Sequence, residues 1–234
     1  PNINDFVKGF YEILNPEGVA TFENPHLLEL ANGKQFDTIY HEHFSYLSLT
    51  SVNEIFKNNG LTIFDVEKIP VHGGSLRYYA QKSDTGRRFI SKRVNALLKE
   101  ERDAGLTNLD FYRNFQKVAE SIREEFKNFL IEQKNNGKLI AGYGAAAKGN
   151  TLLNFCNISN ALLQFIVDKN PMKQGLYCPG SKIPILDEKK IREEKPDFIV
   201  IFPWNIKDEI IDQLKFTKKW GCKFVVAIPS LSII

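Results

Sequence analysis

Apolar positions along this chain follow two rhythms. Helical spacing governs DFVKGFYEIL, residues 5–14, where Phe6, Phe10 and Ile13 or Leu14 share one face. NPEG makes a turn, and VATFENP reads as a short buried strand ended by Pro25. SLTSVNEIFKNNG is a second helix, capped by Ser48 or Thr50 and stopped at Gly60. LTIFDVEKI alternates its faces as a strand does, and LRYYAQK repeats the pattern. The glycine turn VHGGS between them makes the pair a hairpin. From about Thr85 to Gly137 the chain is helical and rich in charge. Thr107 with Asp110 forms a capping box that opens one long amphipathic helix, with Phe111, Phe115, Val118, Ile122, Phe126 and Phe129 on its apolar stripe. Gly137 ends it.

Beyond Gly137 the pattern changes. KLIAGYG, LLQFIVD, DFIVIFPW and KFVVAIPS are apolar throughout, and they alternate with AAAKGNTLLNFC, LDEKKIREEK and IKDEIIDQLKFTKKWG. Strands without a polar face, alternating with helices, predict a parallel sheet covered on both sides. The expected organisation is an α/β piece over residues 1–82, a helical connector over 83–137 and a doubly wound domain over 138–234.

Composition narrows the function classes. The 234 residues are 43% hydrophobic and 25% charged, as in an ordinary globular protein. A net charge of +3, with bases spread among acids, offers no stripe for a phosphate backbone, so no nucleic-acid partner is expected. No apolar run is long enough to span a bilayer, so no membrane partner is expected either. Cys156, Cys178 and Cys222 are isolated, without CxxC spacing. That argues against a disulfide framework or a thiolate zinc site and for reduced thiols in the cytoplasm. The chain opens on Pro1 rather than Met, which reads as a processed or trimmed end.

Two stretches carry candidate chemistry. In GYGAAAKGN, Gly142, Gly144 and Ala147 fit G-x-G-x-x-A between a strand and a helix. Small residues let the backbone approach a diphosphate, the helix N-terminus attracts its charge, and Asp168 ends the next strand where an acid can bind a ribose hydroxyl. Alone, this suggests an NAD-dependent oxidoreductase. Lys148 and Asn150, however, enter the helix where such a fingerprint is apolar, so a cation could meet the phosphates directly, and no histidine follows residue 72. A tight turn without a ligand is the third reading. After Asp168, VDKNPMKQGLYCPGSKIPI is a long loop at the carboxyl end of a strand, where open α/β sheets bind ligands.

The other stretch is IYHEHFSYLS, which holds two of the four histidines, His41 and His43, around Glu42 and after Tyr40. A metal site would need Glu42, His26 or His72 as further donors, and no carboxylate or cysteine pattern joins them. No metal is expected. General acid–base work fits better, because an imidazole titrates near neutral pH and a neighbouring carboxylate can fix its tautomer.

DTIYHEHFSYLSLTSV, VE…HGGSLR, GYGAAAKGNTLLN, VDKNPMKQGLYCPGSKIPI and FPWN occur in one order along essentially the whole chain. In this the chain resembles the S-adenosylmethionine-dependent C-methyltransferases of nucleotide-linked keto-sugars. The resemblance implies the C-terminal portion of a three-part enzyme. ILNPEGVATFENP is similar to the segment around the fifth strand of a class I methyltransferase core, and the helix and hairpin after it to the closing elements of that core. A Rossmann-like domain follows. A zinc-binding domain, the glycine loop for the methyl donor, its ribose-binding acid and a further histidine are all expected upstream of Pro1. The chain alone is then expected to bind S-adenosylmethionine weakly or not at all. Half a donor-domain sheet is also expected to leave an apolar edge, hidden by a homodimer partner or poorly ordered.

The same resemblance implies roles. His43 would be the base that removes a proton next to the ketone, Glu42 would orient it, and Tyr40 would donate to the developing oxyanion or to the sugar. His41 has no assigned role. Arg77 of HGGSLR would contact the sugar or an anion, although a strand arginine after a hairpin turn explains it equally well. Gly142, Tyr143, Gly144, Lys148 and Asn150 would hold the diphosphate of a nucleotide-sugar. The alternatives are an NAD-dependent oxidoreductase and a non-catalytic nucleotide-sugar-binding module.

Overall fold

The computed structural model describes residues 2–234. The chain folds into two compact units. The first takes the residues up to Gly33 and Phe44–Phe115; the second takes Lys34–His43 and Gln116–Ile234. The histidine stretch, expected with residues 1–82, therefore groups with the C-terminal unit, and the connector expected over 83–137 is shared between the two.

The first unit begins with helix α1 (Ile3–Ile13), strand β1 (Ala20–Pro25) and helix α2 (Leu27–Asn32). Helix α3 (Leu49–Asn58), strands β2 (Leu61–Ile69) and β3 (Ser75–Lys82), and helices α4 (Lys92–Asp103) and α5 (Leu109–Arg113) follow. The strands form a three-stranded antiparallel sheet in the order β1-β3-β2. Alternation along the hairpin turns Leu61, Ile63, Val66, Leu76, Tyr78 and Ala80 onto Val52 and Phe56 of α3 and Val94 and Leu97 of α4. β1 stands at one edge of this sheet. Ser48 caps α3 and makes a capping box with Ser51.

Two elements differ from the pattern-based reading. α2 lies where no element was expected. The single helix expected from Thr107 is two: Asn108 rather than Thr107 is the N-cap, α5 stops at Asn114, and α6 (Phe115–Asn135) takes over where the chain passes into the second unit.

The second unit continues with β4 (Ile140–Tyr143), α7 (Ala147–Phe155), β5 (Phe165–Val167), β6 (Ile185–Leu186), α8 (Lys189–Glu194), β7 (Phe198–Ile201), α9 (Lys207–Gln213), β8 (Lys223–Val226) and β9 (Ser232–Ile233). The sheet order is β6-β5-β4-β7-β8-β9, parallel except for β9. Counted within this unit, the order is 3-2-1-4-5-6, the doubly wound arrangement, whose direction reverses between β4 and β7. One face packs Ala141, Tyr143, Val167, Ile199, Ile201 and Phe224 against Ile191 of α8 and Ile210 of α9.

Gly144 shows why the turn after β4 needs glycine. Its φ is +88°, and an added Cβ would stand 2.7 Å from Pro203 Cδ. Gly144→Ala is expected to cost about 2 kcal/mol or more, the left-handed penalty plus the overlap. Equilibrium urea unfolding measures it.

Candidate active site

The histidine loop is built from the 3-10 turn Phe36–Thr38 onwards. His43 Nδ1 lies 3.0 Å from the Thr38 carbonyl oxygen. A carbonyl only accepts, so Nδ1 carries the proton, and in the neutral ring the basic lone pair belongs to Nε2. The His43 amide donates to the Tyr40 carbonyl at 3.0 Å, closing the turn. The Tyr40 and His43 rings lie 4.2 Å apart at 35°. His43 and Tyr40 are half-buried, whereas His41 and Glu42 are exposed. The tautomer that Glu42 was expected to fix is thus set by a backbone carbonyl, which residue spacing does not reveal.

Phe36, Asp37 and Thr38 are buried. Phe36 packs on Phe155 of α7, with ring centroids 5.0 Å apart. Asp37 Oδ2 accepts a 2.7 Å bond from Trp204 Nε1, in the turn after β7. Lys148 Nζ lies 4.3 Å from the centre of the Trp204 ring and donates to Asn205 Oδ1 at 2.7 Å. Burial holds the Lys148 ammonium below the usual lysine range, while the Asp37 charge pulls the other way. This cluster borders the carboxyl ends of β4 and β7, where the strand order reverses and doubly wound sheets place their ligands.

The glycine turn has partners of its own. A Cβ on Gly142 would meet Phe202 Cε2 at 2.7 Å and Ile166 Cγ1 at 2.8 Å. With Pro203 against Gly144, both glycines make room for protein side chains. Tyr143 is 6% exposed; its hydroxyl donates to Glu188 Oε2 at 3.0 Å and accepts from Gln213 Nε2 at 2.8 Å. Burial, with Glu188 beside it, keeps that phenol protonated well above its ordinary range. Asp168 Oδ2 accepts from the Ala145 amide at 2.8 Å and pairs with Lys173 at 3.4 Å. The acid a ribose would need is therefore engaged at the start of α7, with its charge paired to Lys173. Of the expected diphosphate contacts, Lys148 and Asn150 are half-buried, and Asn150 Oδ1 is buried without a hydrogen-bond partner in the structure.

The remaining candidates lie in the first unit. Arg77 faces Glu23 across the β1–β3 ladder and donates to Glu23 Oε2 at 2.9 Å. His72 is exposed in the hairpin turn. His26 is fully buried with Glu101, Nε2 to Oε1 at 2.8 Å. Glu101 also accepts from the Leu49 and Thr50 amides, each at 2.7 Å, and from Thr50 Oγ1 at 2.6 Å. It thereby caps α3 with an anion where the helix dipole favours one. Residue spacing gave no sign of this pair, because Glu101 belongs to a charge-rich helix that reads as a solvated face.

Among the described residues, no group of three or more histidine, cysteine, aspartate or glutamate side chains is placed to hold a metal ion. No described helix is long and apolar enough to cross a membrane. The cysteines are buried and free, and burial pushes their thiols up to about 12, 11 and 12 for Cys156, Cys178 and Cys222.

The family model of the C-methyltransferase C-terminal domain matches residues 70–229. The chain is 36% identical over 234 residues to C-methyltransferase NovU of Streptomyces niveus, a match covering 100% of this chain and 56% of that relative.

Proposed function

This chain belongs to the C-methyltransferase family, and we propose that it supplies the acid–base part of an S-adenosylmethionine-dependent methyl transfer to a nucleotide-linked keto-sugar. The observation that carries the reading is His43 itself, whose Nδ1–H is given to the Thr38 carbonyl, which makes Nε2 the basic nitrogen of the neutral ring. Nε2 takes the proton from the carbon beside the ketone. The C–H electron pair becomes the carbon–carbon double bond of the enolate, and the carbonyl pair moves onto oxygen. The Tyr40 hydroxyl, on the ring stacked against His43, donates to that oxygen or to the sugar. Lys148 and Asn150 are the diphosphate contacts this reading retains. The glycines themselves are not kept as diphosphate contacts, since Phe202, Ile166 and Pro203 fill the space at Gly142 and Gly144. The chemistry assigned to this chain ends at the enolate.

The test separates deprotonation from methyl transfer. The full-length protein, given a thymidine-diphosphate keto-sugar in D2O without methyl donor, is expected to exchange the hydrogen beside the ketone. His43→Ala is expected to abolish the exchange. Tight binding of NAD with no binding of the sugar nucleotide would replace this reading with the oxidoreductase. The Asp168 contacts argue against that outcome.

A further inference from the structure

Asp37 stands one residue before the carbonyl that holds His43, and the proposed chemistry makes no use of it. It is 1% exposed. Oδ2 is bonded to the Trp204 indole, while Oδ1 is buried with no hydrogen-bond partner in the structure. The charged group facing it is Lys148 on α7; from the turn after β7 it meets only the neutral indole of Trp204. All of these residues belong to one compact unit.

A carboxylate in such a place is costly. Removing an ionised oxygen from water without full hydrogen bonding destabilises a fold, and an amide or apolar residue of similar size would be the more stable choice. We propose that Asp37 is a positioning residue for His43: its bond to Trp204 fastens the 36–38 turn to the loop after β7, and so fixes the Thr38 carbonyl against which the imidazole is set. The linkage is covalent and short, since Asp37 and Thr38 are neighbours and Thr38 O is itself the acceptor for His43 Nδ1. Phe36 on Phe155 holds the other end of the same turn to α7. Only the catalytic consequence rests on the acid–base reading; the anchoring stands without it.

Burial pushes the Asp37 carboxyl up to about 6, against the Trp204 hydrogen bond and the Lys148 charge, which lower it. A carboxyl whose pKa is raised on folding takes up a proton in the native state. Its contribution to stability therefore falls as pH rises from the unfolded value near 4 to about 6, and the whole loss is present above that.

The experiment is histidine-selective 15N NMR of this chain. His43 is expected to show a protonated Nδ1 whose hydrogen exchanges slowly with water. Asp37→Ala and Trp204→Phe are each expected to speed that exchange at least tenfold, while the His26 ring in the other unit stays unchanged. Trp204→Phe keeps an aromatic ring and removes the donor, so it serves if Asp37→Ala does not fold. Asp37→Asn keeps an oxygen acceptor. It is expected to restore near-normal His43 exchange and to abolish the decline in stability between pH 4 and 6. In the full-length protein, Trp204→Phe is expected to slow substrate hydrogen exchange about tenfold with KM unchanged. Unchanged His43 Nδ1 exchange in Trp204→Phe would overturn the proposal. Substrate exchange absent from the wild-type protein, with the NMR effects intact, would support the anchor and overturn the acid–base reading instead.

Discussion

His43→Ala in the full-length enzyme is expected to lower kcat about 10³-fold, within the range that a positioned general base contributes. Affinity for the nucleotide-sugar is expected to change by less than about threefold, because the proposed diphosphate contacts, Lys148 and Asn150, lie elsewhere. The separation is the point of the measurement. A residue that acts only in the transition state lowers kcat and kcat/KM together, whereas a binding residue raises KM. Single-turnover kinetics alongside equilibrium titration with the sugar nucleotide distinguishes the two. Equal losses in turnover and affinity would make His43 a binding residue. His41→Ala, at the exposed position two residues earlier, is the comparison and is expected to stay within about threefold of wild type.

Glu101→Ala is expected to be the most damaging single change to the fold. The carboxylate bonds His26, the first two amides of α3 and the Thr50 hydroxyl, the His26 and Leu49 bonds buried and the two to Thr50 partly so. Removing it strands a buried imidazole and two helix-end donors at once. Breaking a buried pair in this way costs about 3–5 kcal/mol, enough to unfold a protein of ordinary stability. Burial alone would raise the Glu101 carboxyl, but His26, Thr50 and the Leu49 amide outweigh it and hold it below the ordinary glutamate range. Its contribution to stability is therefore complete above the unfolded value and is lost as pH falls through the lower folded one. Acid titration of the urea midpoint is expected to show a loss on that limb that Glu101→Gln removes. An Ala variant within about 1 kcal/mol of wild type would mean that water takes over the carboxylate's bonds.

Much of the fold is written in local patterns. The β2–β3 hairpin follows from alternation on either side of VHGGS, and α3 from Ser48 ahead of an apolar stripe. The parallel strands of the second unit follow from runs with no polar face. What escaped is short or distant. α2 has six residues and β6 two, too few for a period to register. His43 stands out in the sequence because the chain has only four histidines. The carbonyl that sets its tautomer, and the Asp37–Trp204 bond between residues 167 apart in sequence, do not. An acid inside the otherwise uncharged QFDTI and a tryptophan closing an apolar strand were the only local hints. The glycines were recognised as turn residues, but which atoms need the vacated space depends on Phe202 and Pro203, on another strand's exit loop.

The interleaving of residues 34–43 limits how the molecule can be recombined. A chimera spliced at a single junction near residue 116 would join a histidine loop from one parent to an α7 and a Trp204 loop from the other. Ring packing between Phe36 and Phe155, and the indole acceptor at Asp37, would then have to match across lineages. Grafts that carry the ten-residue insert along with the downstream sheet keep both halves of that match, so relatives should exchange the two pieces together or not at all.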